Sequence, residues 1–212
     1  MFCERKEKDI YITCKKSHYS HYLYDERVND LPKEYYCSSV AAGCLLETSD
    51  GYFVVGELAD NTSFPRCLQL SGGNVDKSDI ELNKLDISKT IIRECREELN
   101  IDLQEREQVE SYNIKYINFP DVAHQYVLIA VAKLIMTKEE MEKYYEQYMD
   151  YLTKNNLEIE FGKIHFFQRE MAIDELNKMD NPKRDYLAEL LRLEGMSKTE
   201  LFYILWMGEQ LT

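Results

Sequence analysis

Cys67-Leu68-Gln69-Leu70-Ser71-Gly72-Gly73 and, twenty residues past the glycine pair, Arg93-Glu94-Cys95-Arg96-Glu97-Glu98-Leu99-Asn100-Ile101 are the stretch around which the rest of the chain organises itself. The first run is strand-like and closes on Gly72-Gly73. The second has helical spacing. Ile91, Ile92, Cys95 and Leu99 share a stripe able to pack on a sheet. Glu94, Glu97 and Glu98 stand at i, i+3 and i+4, so their carboxylates gather within about one turn. At ~6 Å and an effective dielectric of ~20, each such pair repels by on the order of 3 kcal/mol. A divalent cation reverses that sign. An oxygen-only donor set, with no converging Cys or His, suits a hard ion such as Mg²⁺ or Mn²⁺ rather than zinc. A bare Glu-x-x-Glu-Glu is also how a solvated helix face reads, with Arg93 and Glu97, or Glu94 and Glu98, as ordinary i, i+4 neighbours.

The setting separates the two readings. Gly73, followed by Arg93-Glu94-Cys95-Arg96-Glu97-Glu98-Leu99-Asn100-Ile101, resembles the signature of the Nudix family, G-x5-E-x7-R-E-U-x-E-E-x-G-U, where U is aliphatic. The Arg, the three Glu and the final Ile match position by position, and Cys95 serves as a small hydrophobe at the first U. Two positions depart. Asn100 replaces the family Gly that ends the helix in a left-handed conformation, and Asn is the next residue able to adopt it. The loop between Gly73 and Arg93 has 19 residues, six more than the family spacing. The family's isolated Glu then falls at Leu85. Asp76, Asp79, Glu81 and Asp86 are all candidates to replace it.

Composition sets limits. A chain of 212 residues with 44% hydrophobic content can bury one sizeable core and carry appendages. A net charge of −13 argues against a nucleic-acid surface, which needs a basic stripe. No run of 18 apolar residues and no signal-peptide core is found, so no membrane contact is expected and the expected location is cytoplasmic. The six cysteines at 3, 14, 37, 44, 67 and 95 have no C-x-x-C spacing, so neither a zinc site nor a disulfide framework is expected. Cys44 and Cys95 sit in apolar patterns and read as reduced core residues.

The order of elements predicts an α/β chain. Residues 1–38 form a polar, Tyr-rich N-terminal extension with one strand at 9–14. Residues 40–47 and 52–58 flank the turn Thr48-Ser49-Asp50-Gly51 and predict a hairpin. The strand ending at Gly72-Gly73, a long loop and a helix over 87–99 follow, with Asp86 or Ser88 as its cap. Strands are predicted at 110–117, 125–135 and 157–168. Thr137-Lys138-Glu139-Glu140 is a capping box opening a helical insert over 137–154. Helices near 170–179, 183–194 and 198–210 close the chain. The predicted division is an extension over 1–38, a domain over 39–180, and a helical segment over 181–212 packed on it. The Nudix resemblance implies an α/β/α sandwich around a mixed sheet.

It also implies roles. Glu94 and Glu98 would be the principal ligands of Mg²⁺ or Mn²⁺, with Glu97 a third or water-mediated ligand and the Gly73 carbonyl completing the shell. Arg93 would orient the carboxylates. The expected activity is hydrolysis of a phosphoanhydride in a nucleoside diphosphate linked to another moiety, by water attack on phosphorus; the alternative is a ligand-binding or sensor module on the same fold. The expected partner is a small phosphorylated nucleotide. Glu160, in Glu158-Ile159-Glu160-Phe161-Gly162, is the candidate distant base, against the plainer reading of an outward-facing strand Glu. His18 and His21 lack a third partner for a metal, and His124 reads as structural or substrate-touching. Tyr144, Tyr145, Tyr148 and Tyr151 share a helix face better suited to packing than to base stacking. The apolar last helix, with Trp206, suggests core docking or a homodimer contact.

Overall fold

The computed structural model describes residues 2–6, 9–28, 30–32, 35–119 and 125–196. The expected helix over 198–210, its Trp206 and His124 lie outside the described residues. The first part of the chain holds more than the single strand expected from its sequence. A hairpin of β1 (Phe2–Lys6) and β2 (Asp9–Thr13) precedes a helix, α1 (Tyr19–Val28). No apolar stripe announces α1, and it owes its place to docking: Tyr22 and Asp25, each 3% exposed, form its inward side.

The body is one mixed sheet between two helical layers. Its strands are β3 (Ser39–Glu47), β4 (Tyr52–Leu58), β5 (Leu68–Gln69), β6 (Ser71–Asn74), and, beyond a small hairpin of β7 (Ile80–Glu81) and β8 (Lys84–Leu85) that stays apart from it, β9 (Val109–Asn118), β10 (Gln125–Leu134) and β11 (Phe161–Gln168). The main order is β11-β4-β3-β10-β9, and β10 runs parallel to β3 while the other pairs are antiparallel. The expected β3/β4 hairpin exists only next to its turn, at Leu46↔Val54 and Glu47↔Phe53. Beyond that the strands part. β6 joins β3 with Gly73 opposite Ala42, and β5 joins β4 with Gln69 opposite Gly56. This fork opens the cleft described below.

Alternation along the central strands sends apolar side chains to both faces, so each face needs a cover. Ala42, Cys44, Leu46, Val54, Ala130 and Ala132 pack beneath α2 (Ile87–Leu99) and α3 (Lys138–Lys154). Ala41, Leu45, Phe53, Val55, Ile129 and Val131 pack beneath α4 (Ala172–Asn177) and α5 (Asp185–Gly195), whose Leu187 and Leu191 are fully buried. Each such Leu or Ile contributes about 1.5–3 kcal/mol on burial.

α2 runs over the residues its pattern predicts. Ile91, Cys95 and Leu99 are at most 2% exposed. Asp86 caps the start, accepting from the Ser88 N–H at 3.0 Å, and Asn100 ends the helix at φ 57°. The Thr137 capping box opens α3. The last strand begins at Phe161 and not at Leu157, because the chain leaves α3 through left-handed Asn156 and a Leu157 N–H to Leu152 carbonyl bond. Among the described residues, no helix is long and apolar enough to cross a membrane.

Candidate active site

The glycine pair lets α2 settle its carboxylates onto the sheet. A Cβ on Gly73 would lie 2.5 Å from Glu94 Oε1, and one on Gly72 would lie 2.3 Å from the Ala42 carbonyl oxygen. Backbone bars a side chain at Gly72, and one at Gly73 would push the Glu94 carboxylate aside. The Gly72 N–H donates to Glu98 Oε2 at 2.8 Å. Glu98 is 3% exposed and Glu94 7%, so two of the three box carboxylates are held largely out of water. Glu97 points elsewhere: its side chain is 62% exposed and its carboxylate stands 3.4 Å from Arg93.

Arg93 is a clamp. It donates to Glu94 Oε1 at 2.6 Å, to Asp79 Oδ2 at 3.2 Å and to the Asn74 carbonyl at 3.4 Å. Of the four loop acids the sequence left open, Asp79 is the one brought to Arg93. It is 2% exposed and also accepts from the Asp76 N–H and the Thr90 hydroxyl, at 2.8 and 2.9 Å. The others are engaged locally: Asp76 caps the short 3-10 turn at Lys77–Asp79, Glu81 pairs with Lys89 at 2.7 Å, and Asp86 caps α2. The longer loop thus folds back through a turn and the β7/β8 hairpin and delivers its acid from a shifted sequence position.

Glu160 directly precedes β11, and its carbonyl accepts from the Ala59 N–H at 2.8 Å. The residue as a whole is exposed, but its carboxyl is partly withdrawn from water and comes within hydrogen-bond reach of Glu98. The electrostatics follow from burial first and like charge second. Burial pushes Glu94 up to about 7, with Glu160 and Glu97 adding repulsion and Arg93 opposing them. Glu98 is driven well above the carboxylate range by burial and then by Glu160. Glu160 is itself raised by burial and by Glu158. Glu98 Oε1 is buried with no donor at all. Two facing carboxylates are both acceptors unless one keeps a proton or a cation lies between them.

That orphaned oxygen, the oxygen-only donors and the bare backbone at Gly73 fit a hard divalent ion. Among the described residues, however, no three of His, Cys, Asp and Glu already surround a common point. Glu97 turns to solvent and Glu94 rests against Arg93. A cation here would draw Glu94 off the guanidinium.

Glu94 and Glu160 line a cleft of about 380 Å³, a volume suited to a small-molecule ligand. The fork between β3 and β4 forms its floor, with Ala42, Gly43, Gly72 and Gly73. Its far wall comes from segments the sequence did not connect with a site: Tyr19 and Tyr22 of α1, Phe64, Gln69 and Arg184. Arg27 of α1 donates to the Ser63 carbonyl at 3.1 Å, which ties the helix to the loop beside the cleft.

The tyrosines of α3 are lashings. Tyr145 donates to the Phe161 carbonyl at 2.7 Å, Tyr148 to the Glu97 carbonyl at 2.7 Å, and Tyr144 to the Asn100 carbonyl at 2.9 Å. Tyr151 stacks on Tyr148 and is 55% exposed. His18 and His21 are exposed at the start of α1, edge to face at 5.6 Å. Cys44 and Cys95 are fully buried free thiols.

No family model matches the chain, and no curated protein matches it. It is similar to a solved Nudix hydrolase from Alicyclobacillus acidocaldarius at 11% identity, with a TM-score of 0.49 over 74% of this chain and 90% of that one. A Deinococcus radiodurans protein gives 16% identity and 0.49 over 73% and 81%. A C. elegans Ap4A hydrolase gives 18% identity and 0.45 over 73% and 93%.

Proposed function

We propose that this chain is a Nudix-type hydrolase that splits a phosphoanhydride bond in a nucleoside diphosphate linked to another moiety. The observation that carries the reading is the approach of buried Glu98 to Glu94 and Glu160, the two acids that line the cleft, with raised proton affinities and a Glu98 oxygen that no donor satisfies. Glu94 and Glu98 are the ligands for Mg²⁺ or Mn²⁺, with the Gly73 carbonyl beside them and Glu97 able to swing in or act through water. When bound, the ion neutralises the diphosphate oxygens and the charge that develops on the leaving phosphate.

The protein's own groups do the rest. Arg93, anchored on Asp79, fixes the Glu94 carboxylate and hence the position of the donor set. Glu160 is the proton acceptor: its raised affinity brings it toward the working pH, where a general base is most effective. Water attacks phosphorus, its proton passes to Glu160, and the bond to the bridging oxygen breaks. The cleft walls hold the nucleotide while Gly72 and Gly73 let the sheet and the Glu94 carboxylate pack closely beneath it.

One observation favours a second reading, a binding module without turnover: among the described residues the acids do not yet form a ready three-ligand cage. The test is phosphate release from a panel of nucleoside diphosphate derivatives with Mg²⁺ or Mn²⁺, comparing wild type with Glu98→Gln and Glu97→Gln. Metal-dependent turnover that drops on the order of a hundredfold in Glu98→Gln supports the hydrolase. Metal-dependent binding with no turnover on any member moves the chain to the second reading.

A further inference from the structure

Arg184 is a cation out of its usual place. It is the N-cap residue of α5, where the positive end of the helix disfavours a positive side chain, and its own side chain makes no cap bond. Among the described residues it has no carboxylate partner, in a chain where acids outnumber bases 39 to 26. Its nearest cationic neighbour in sequence, Lys183, is turned away onto the Met179 and Asn181 carbonyls.

The guanidinium is nonetheless held firmly. It lies 4.2 Å from the Phe64 ring centroid, its Nε donates to Gln69 Oε1 at 3.2 Å, and its charge acts on Tyr22 from α1. The backbone is fixed as well: the Arg184 N–H donates to the Leu68 carbonyl at 3.1 Å, and Leu68 returns a bond to the Pro182 carbonyl at 2.8 Å. A guanidinium has five N–H groups, so donors remain for a ligand. Phe64, Gln69, Tyr22 and Arg184 all line the same cleft as Glu94 and Glu160. Gln69 lies four residues before Gly73, so the backbones of these two lining residues are at most roughly 13 Å apart.

We propose that Arg184, stacked on Phe64 and steadied by Gln69 and Tyr22, is a specificity-determining anchor for a second phosphate of the substrate, remote from the anhydride that is cleaved. The inference rests on reading this cleft as the phosphoanhydride site. A chain of net charge −13 repels an added phosphate unless a local cation meets it, and a stacked guanidinium meets phosphate with paired donors. The substrate is then a nucleoside diphosphate derivative phosphorylated also on a sugar hydroxyl, not one with a neutral distal moiety.

The test is equilibrium binding by calorimetry of adenosine 2′,5′-bisphosphate, adenosine 3′,5′-bisphosphate and AMP to wild type, Arg184→Met and Arg184→Lys. The expected result is that at least one bisphosphate binds wild type about tenfold or more tighter than AMP, that Arg184→Met brings that ratio close to one, and that Arg184→Lys keeps part of it. Equal ratios in wild type and Arg184→Met, or no preference in wild type, overturn the proposal. Binding is read without turnover, so an inactive protein with an Arg184-dependent preference would sink the hydrolase and leave the anchor standing. An active protein without the preference would do the reverse.

Discussion

Replacing Glu94 by Gln should stabilise the metal-free protein. Glu94 is 7% exposed and its folded proton affinity is about 7, against the usual 4.5. The sign follows from that direction. A carboxyl that binds its proton more tightly in the folded state contributes most below pH 4.5, and the contribution is lost as pH rises through about 7. A shift of about 2.5 units corresponds to roughly 3 kcal/mol at pH 8, since each unit is about 1.4 kcal/mol. Arg93 already offsets part of the burial penalty within that figure, and in the variant Arg93 keeps Asp79. For a chain of this length, 3 kcal/mol moves Tm by roughly 6–12 °C. The assay is thermal unfolding of wild type and Glu94→Gln in EDTA from pH 4.5 to 8. The two curves should coincide at the acid end and separate steadily toward pH 8, with the variant above. A variant that is less stable at pH 8, or a gap that does not change with pH, would show that Glu94 is not a strained buried carboxylate and would refute the electrostatic account of the site.

Other substitutions probe the supports. Asp79→Ala removes three hydrogen bonds, one of them the second anchor of Arg93, and should lower unfolding free energy by about 2–3 kcal/mol in urea; a loss under about 0.5 kcal/mol would mean the loop does not brace the clamp. Gly73→Ala sets a methyl 2.5 Å from Glu94 Oε1, so the carboxylate must move. Mn²⁺ affinity should fall about tenfold while the far-UV spectrum stays unchanged, and an unaltered affinity would remove Glu94 from the ligand set. Asn100→Ala keeps the β-carbon in the left-handed region but removes the short amide that makes the conformation tolerable for Asn, and should cost about 1 kcal/mol, whereas Asn100→Gly should be neutral or slightly stabilising; equal effects of the two would assign the role of Asn100 to its bond with Tyr144 instead.

The sequence by itself determined the local features. The 3.6-residue stripe of Ile91, Cys95 and Leu99, with Asp86 in front and Asn100 behind, defines α2 because periodicity and capping are interactions within one helix. The near-continuous apolar runs of β3 and β10 require cover on both faces, while the α/β/α sandwich itself was implied by the resemblance carried by Gly73 and the Arg93–Ile101 stretch. The approach of Glu94 and Glu98 to one another was likewise legible, since i, i+4 spacing fixes it.

Only the tertiary structure decided what depends on contacts between distant segments. Four acids in the expanded loop have similar chemistry, and the fold of the β7/β8 hairpin chose Asp79 for Arg93. Neither the reach of Glu160 to Glu98 nor the turning out of Glu97 has a local signature. The far wall of the cleft is the extreme case. Arg184 meets Gln69 across 115 residues of chain and Tyr22 from a helix with no apolar stripe, so nothing in the local sequence marks either residue as facing a ligand. Short-range spacing reports which groups share an element. Which elements face one cavity is set by how the sheet forks and how its two cores close around it.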